Sequence, residues 1–391
     1  MKLFKIGVLS LLIFVSCKEQ KKTNQNNTVL EETSKEKTIV SHINAEKFDT
    51  IIDSKKVILY WIENKDIKVA FTNYGARIVG LWVPDFKKEM TDVVIGMGST
   101  KGYKNSTEPY FGATIGRVGN RIAKGAFSLE GEKFNIPINN GKNSLHGGDK
   151  GFQDVVWNVT QPNDSSLVFT YTSPDMEQGF PGTLKVKVTY TATSKTSIKM
   201  DYEATTDKTT VVNLTNHAFF NLNGEGSGSI LNHTLKIYAE KYTPVDDGLI
   251  PTGEILSVKN TPFDFVDFHT IGERVNIDNE QLKFGGGYDH NYVLNETKSN
   301  DMNYAASVKG EKSKILMDVY TKEPGLQFYS GNFMQSKNTL KSGSKDDFRT
   351  AFCLETQHYP DAPNQPKFPS IVLNPGEIYK TSSEYKFSID K

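Results

Sequence analysis

Leu184-Lys-Val-Lys-Val-Thr-Tyr190 and Ser197-Ile-Lys-Met-Asp-Tyr-Glu203 decide the fold. In the first stretch leucine, two valines and tyrosine take every second position, with lysines and a threonine between them. In the second, Ile198, Met200 and Tyr202 do the same. A period of two belongs to a strand with one face in a core and one in water, since a helix repeats its apolar positions at three and four. Residues 57–62, 67–71, 77–83 and 167–172 read the same way. Asn139-Asn140-Gly141 and Asp247-Gly248 supply turn chemistry between such runs. Helical periodicity is confined to short pieces, and no internal repeat at the ~20–50-residue periods of solenoids and propellers is present. Strands that follow strands bury their apolar faces sheet on sheet, so the pattern predicts an all-β sandwich with large sheets.

From Phe48 to the end, about 340 residues run without a low-complexity break, long for one domain by the usual size prior. Residues 48–391 are nevertheless read as a single domain, because the alternating segments run throughout. The chain has 391 residues, 37% of them hydrophobic and 24% charged, which is globular composition. Lysine plus arginine equals aspartate plus glutamate, 46 against 46, so no net field steers nucleic acid or an anionic membrane to this protein. Phe and Tyr, at 23 and 17, suit both a pleated core and stacking on sugar rings.

The first residues read differently. Lys2 and Lys5 precede a run from Ile6 to Val15, about ten residues and too short to span a bilayer. The run ends in Phe-Val-Ser-Cys17, so residues 1–17 read as a signal peptide with a lipobox-like end. On this reading Cys17 is lipidated and the protein is extracytoplasmic, held to a bacterial membrane only by that N-terminal lipid. Phe14 departs from the aliphatic residue usual there, and cleavage without lipidation is the alternative. Residues 18–47 lack aromatics and mix Lys, Glu, Asn, Gln and Thr, the composition of a flexible tether. Cys353 is the other cysteine, so with Cys17 lipidated no internal disulfide forms.

Four polar constellations interrupt the apolar pattern. In Phe111-Gly-Ala-Thr-Ile-Gly-Arg-Val-Gly-Asn-Arg-Ile122, Asn120 and Arg121 can read hydroxyls or a carboxylate; an arginine paired with a core carboxylate is the plainer alternative. In Asn143-Ser-Leu-His-Gly-Gly148, two glycines after His146 permit close backbone approach, although a lone histidine is more often structural. In the stretch from Val211 to Asn221, strand alternation puts Asn213, Thr215 and His217 on one face and Val212 and Leu214 on the other, as on a cleft wall. The fourth joins Gly285-Gly-Gly-Tyr-Asp-His-Asn291, which carries Asp289, to Phe352-Cys-Leu-Glu-Thr-Gln357. There Glu355 shares a strand face with Cys353 and Gln357. A glutamate in so apolar a strand is paired, hydrogen-bonded or functional. His146, His217 and His290 lack the tight spacing of a helical zinc site, so no metal is assigned. Gly224-Glu-Gly-Ser-Gly228 has no βαβ context and is read as a turn.

Taken together, "GRVGNRIAKG", "NSLHGG", "NLTNHAFFNL", "TPVDDGLIPTGE", "GYDHN", "PGLQFYSGNF" and "FCLETQHYPDAPNQPKFP" resemble the aldose 1-epimerase (galactose mutarotase) family, in the family's order and over residues 48–389. The resemblance implies a large antiparallel β-sandwich with a cleft on one face. It implies Glu355 as base, His217 as acid and His146 as a second active-site histidine. It places sugar contacts on Asn120, Arg121, Asp289 and Gln327. Gly119 stands where the family often has alanine, and His358 and Tyr359 stand where another aromatic is common, a change that bears on substrate preference.

The implied activity interconverts the α and β anomers of a free aldose such as galactose or glucose, feeding hexose metabolism. The anomeric hydroxyl loses a proton while the ring oxygen gains one; the open aldehyde rotates and closes on its other face. On reference values a carboxylate (about 4.3) is ionised and an imidazole (about 6.5) can be charged near neutrality. No cofactor is required, though a structural calcium ion is open, and a monomer is expected. The enzymatic rival is a glycosidase using Asp289 and Glu355. A hexose-6-phosphate epimerase would need an added basic cluster, and a non-catalytic carbohydrate-binding module would not need Glu355 or His217.

Overall fold

The computed structural model describes Met1 and residues 43–194, 196–296, 298–299 and 302–390. Residues 2–42, and with them Cys17 and most of the segment read as a tether, lie outside the described residues. The end of that segment belongs to the folded unit. Ile43 is buried in one cluster with Phe48, and Ala45–Lys47 forms a short 3-10 turn whose first residues are capped by the Asn44 side chain. The folded domain therefore begins at Ile43 at the latest, ahead of the boundary expected at Phe48. Absence of aromatics concealed it, because one buried isoleucine carries the anchoring.

Three antiparallel sheets make up most of the domain. The largest has ten strands, and at its middle Leu184–Ser194 pairs with Ser197–Thr206, which pairs with Tyr379–Ile389. The quoted alternation is realised here. Leu184, Val186, Val188 and Tyr190 are buried, as are Ile198, Met200, Tyr202 and Ala204, while the residues between them face outward or are half-buried. A six-stranded sheet includes Asp289–Val293, Gly325–Tyr329 and Phe352–Gln357 as neighbours, and a four-stranded sheet runs from Leu59–Asn64 to Met90–Asp92. One core cluster joins all three. Phe71 of the four-stranded sheet packs on Tyr190 with ring centroids 4.8 Å apart, and Phe220 of the six-stranded sheet packs on Tyr385 at 5.1 Å. Each such side chain contributes about 1.5–3 kcal/mol on burial, which is what holds the sheets face to face. The sandwich read from the sequence is thus present.

The stretch from Val211 to Asn221 is not one continuous strand. Thr210–Val211 pairs with Val372–Leu373, Thr215–Asn216 with Thr114–Ile115, and Phe219–Phe220 with Phe352 and Cys353. The segment crosses between sheets, so its alternation persists while its partners change. Among the described residues no helix is long and apolar enough to cross a membrane.

Candidate active site

The six-stranded sheet sets out one wall of a cavity through its register. Glu355 lies opposite Gln327, which lies opposite Asn291, while Asp289 lies opposite Tyr329 and Tyr329 opposite Cys353. A period of two puts these side chains on the same face and sends Leu326, Phe328, Phe352 and Leu354 into the core behind. The polar residues therefore stand on rigid backbone. Gln327 Nε2 donates to Asp289 Oδ1 at 2.7 Å, and Gln357 Nε2 donates to Gln327 Oε1 at 3.3 Å and to Asn291 Oδ1 at 3.2 Å.

Two loops supply the facing wall. Arg121–Ile122 pairs with Ser144–Leu145, which brings Asn120, Arg121 and His146 together. Both Asn120 (φ 61°) and His146 (φ 51°) hold left-handed backbone, a conformation that costs about 1–3 kcal/mol outside glycine and is tolerated where the surroundings enforce it. Those surroundings are visible. Asn120 N–H donates to His146 Nδ1 at 3.1 Å, and His146 N–H donates to the Asn120 carbonyl at 3.0 Å. Gly147 (φ 88°) lies so close to the Gly116 carbonyl that an added Cβ would stand 2.1 Å from its oxygen. The glycine thus serves an approach of backbone to backbone rather than to a ligand. Arg121 reaches across to Asp289, Nη1 to Oδ2 3.4 Å, and its Nε donates to Asn140 Oδ1 at 3.2 Å.

His217 arrives from the crossing segment between the sheets. Its ring is stacked between Tyr110 (centroids 5.6 Å, 25°) and Phe219 (4.9 Å, 24°), which fixes the ring plane. Tyr110 also lies 4.5 Å from the His146 ring, and the two imidazoles meet edge to face at 5.1 Å. His217 Nε2 stands 3.5 Å from Glu355 Oε1. Glu355 Oε2 and His217 Nδ1 are buried with no protein partner.

Burial works against charge here. It raises the Glu355 carboxyl well above the usual carboxylate range; Asp289 adds to this and Arg121 opposes it. Burial lowers His217 to about 3. It also drives His146 well below the usual imidazole range, with help from His217 and Arg121. Because His146 Nδ1 accepts the Asn120 N–H, its neutral ring carries its proton on Nε2 and acts as a fixed donor. The reference-value picture of an ionised Glu355 facing a charged His217 therefore needs correction. The neutral pair and the ion pair hold the same single proton, and burial favours the neutral arrangement.

The cavity, about 390 Å³ and within the ~300–1,000 Å³ usual for small-molecule sites, is lined by Asn120, Arg121, His146, His217, Asp289 and Glu355 among others. Six of the seven residues predicted from the sequence thus meet. Gln327 is the seventh; it stands beside the cavity and its Nε2 holds the Asp289 carboxylate. His358 and Tyr359 also stand away from the cavity wall, His358 paired with Glu323 at 2.6 Å. His290 turns into the core against Tyr242 and Phe263. Among the described residues the donors that converge closely enough for a metal are His146, His217 and Glu355. Two imidazoles and one carboxylate are a poor set for calcium, which takes six to eight oxygens. Reading the sequence missed Tyr110 and Glu108, which line the cavity from an unpatterned loop; the available signal was their place just ahead of the Phe111 constellation.

A sandwich whose sheet face presents a carboxylate and an imidazole to one another, inside a polar cavity of monosaccharide size, defines a sugar-handling acid–base enzyme. A family model described as aldose 1-epimerase matches residues 59–386. The chain is 42% identical over 330 residues to galactose mutarotase from Rattus norvegicus, covering 84% of this chain and 94% of that one. It is 37% identical over 326 residues to aldose 1-epimerase from Escherichia coli strain K12, covering 83% and 93%. The solved structure of an aldose epimerase homologue from C. elegans superposes with a TM-score of 0.77 at 29% identity, covering 85% of this chain and 100% of that one. The chain belongs to the aldose 1-epimerase family.

Proposed function

We propose that this protein is an isomerase that interconverts the α and β anomers of free aldoses such as galactose or glucose, feeding hexose metabolism. The observation that carries the reading is Glu355 and His217 at 3.5 Å in a cavity whose other wall is the Arg121–Asp289 pair. The pair's single proton first passes from Glu355 to His217 across their 3.5 Å contact; Glu355 then takes the proton of the anomeric hydroxyl and His217 delivers its own to the ring oxygen. The ring opens, the aldehyde rotates about its bond to the neighbouring carbon, and closure reverses both transfers. His146, as a neutral Nε2–H donor, orients the oxygen being protonated. Arg121, Asn120 and Asp289 hold the remaining hydroxyls, with Gln327 fixing Asp289. The two proton-transfer groups supply about 10²–10⁴ each, enough for a reaction that proceeds slowly unaided. No cofactor enters these steps. A metal on His146, His217 and Glu355 would occupy the lone pairs that the proton transfers use.

Polarimetry on freshly dissolved α-galactose and α-glucose tests this. The rotation should decay faster than in buffer and reach the same final value. Decay at the buffer rate across a panel of aldoses would overturn the proposal.

The lipid anchor at Cys17, an extracytoplasmic location and a monomeric state are proposed from the leader pattern and the single-domain reading. Labelled palmitate should enter the protein and be lost in Cys17→Ala. A mature, unlipidated N-terminus beyond Cys17 would replace the anchor with simple secretion.

A further inference from the structure

The cavity holds more carboxyl groups than the reaction uses. Its lining residues include five carboxylates, Glu108, Asp149, Asp154, Asp289 and Glu355, and one guanidinium, Arg121, which already faces Asp289. Most of the inner carboxylates have partners. Asp154 accepts from Tyr74 Oη at 2.8 Å and from Gln153 Nε2 at 3.1 Å, and Asp289 accepts from Gln327 and Arg121. Glu355 faces His217.

Glu108 differs. Its Oε1 is buried with no partner. Burial pushes its carboxyl up to about 7, opposed by the Tyr110 N–H and reinforced by Asp346 and Asp289. Among the described residues no cation is paired with it. Its backbone is nonetheless fixed. Ser106 Oγ accepts the Glu108 N–H at 3.1 Å and donates to its carbonyl at 2.7 Å, Thr107 N–H donates to Asn338 Oδ1 at 3.1 Å, and Arg77 Nη1 donates to the Pro109 carbonyl at 3.2 Å. A carboxylate that lines a ligand cavity from a pinned backbone, with one oxygen unpartnered among the described residues, is completed by a donor on the ligand.

We propose that Glu108 is a specificity-determining residue of this site: it accepts a hydrogen bond from a hydroxyl or ammonium group of the aldose other than the anomeric hydroxyl, and it turns away sugars that carry a carboxylate or phosphate. The proposal rests on the mutarotase reading above. Like charge next to an anionic substituent costs binding, whereas a neutral or cationic sugar meets an acceptor in place.

The test is polarimetry of the full chain with galactose and with galacturonate, a uronate anion, at about pH 8, above the value of about 7 to which burial pushes Glu108, so that its carboxylate is ionised. Galacturonate is also measured as a competitive inhibitor of galactose turnover. The wild type should favour galactose. Glu108→Gln should shift the ratio of the two kcat/KM values, or of KM to the inhibition constant, by about tenfold toward the anion. Glu108→Asp should keep the discrimination against galacturonate while weakening galactose, and it serves if the glutamine variant folds poorly. An active wild type with a ratio that Glu108→Gln leaves in place would overturn the proposal. So would parallel losses for both sugars, the mark of a merely structural side chain. A wild type inactive on every neutral aldose would overturn the mutarotase reading itself, and this inference with it.

Discussion

Two clusters of buried charge in this molecule are built to opposite ends. The first joins Lys341, Glu225 and Asp92 beneath the four-stranded sheet. Lys341 Nζ meets Glu225 Oε2 at 2.5 Å, the Val94 carbonyl at 2.6 Å and Asp92 Oδ2 at 3.2 Å. Glu225 also accepts the N–H groups of Gly96 and Ser342, and Asp92 those of Leu81 and Val94. Burial alone would lower the lysine, but the two carboxylates outweigh it and raise its affinity for the proton. The second cluster, Glu355 with His217, leaves Glu355 Oε2 and His217 Nδ1 without partners among the described residues, and Glu108 Oε1 on the same cavity is likewise unpartnered. A satisfied network specifies a fold; an unsatisfied one keeps its hydrogen-bonding capacity for a ligand. The difference is what separates a structural ion cluster from an active site of similar burial.

The sharpest way to break that comparison is Glu355→Gln. The amide is nearly isosteric and cannot accept the anomeric proton, so turnover should fall about 10²–10⁴-fold. Stability should hold or rise, because the substitution removes a buried acid that has no cation of its own. Polarimetry with a denaturant titration reads both. A variant that unfolds easily and keeps its rate per folded molecule would make Glu355 the structural residue.

Lys341→Met is the mirror test. Removing the cation strands two buried carboxylates, which costs about 3–5 kcal/mol of unfolding free energy. Turnover per folded molecule should stay at the wild-type value, since Lys341 does not line the cavity. A rate loss exceeding the stability loss would join the two clusters functionally and dissolve the contrast.

How far the sequence carried the reading follows the same division. The alternation at residues 184–190 and 197–203 gave strands and their buried faces, because period two is a local property. The grouping of Cys353, Glu355 and Gln357 on one face was legible for the same reason. Which strand lies beside them was not, since register is a long-range matter; the bond from Gln327 to Asp289 was therefore not legible either. The stretch from Val211 to Asn221 looked like a single strand because alternation does not reveal a change of partner. Glu108 and Tyr110 stayed silent in a loop without periodicity, and the start of the domain at Ile43 rests on one aliphatic residue. Joint order of the polar motifs, rather than any one of them, carried the site.

The smallest expected effect concerns which histidine and which pH limb belong to which group. His146 is a fixed neutral donor, its Nδ1 held by the Asn120 N–H, so His146→Gln should raise KM more than it lowers kcat. His217 faces Glu355, and His217→Gln should lower kcat far more than it raises KM, as for an interaction made mainly in the transition state. The pH profile sharpens this. Catalysis needs one proton on the Glu355–His217 pair. Burial raises the carboxyl and lowers His217 to about 3, so that proton rests mostly on Glu355 in the free enzyme. On raising the pH the pair loses it from Glu355, which sets the basic limb of kcat/KM. On lowering the pH a second proton enters at His217, which sets the acidic limb, far below the ordinary imidazole range. Reference values would order the limbs the other way. The profile, corrected for the buffer reaction and taken where circular dichroism shows the fold intact, should be flat through neutrality. In His217→Gln no proton on the pair is needed and the residual rate requires only an ionised Glu355, so it should lose the basic limb and rise with pH through the raised Glu355 range. A residual rate already flat above the ordinary carboxylate range would mean that Glu355 is ionised in the free site and that the reference-value ordering of the limbs holds.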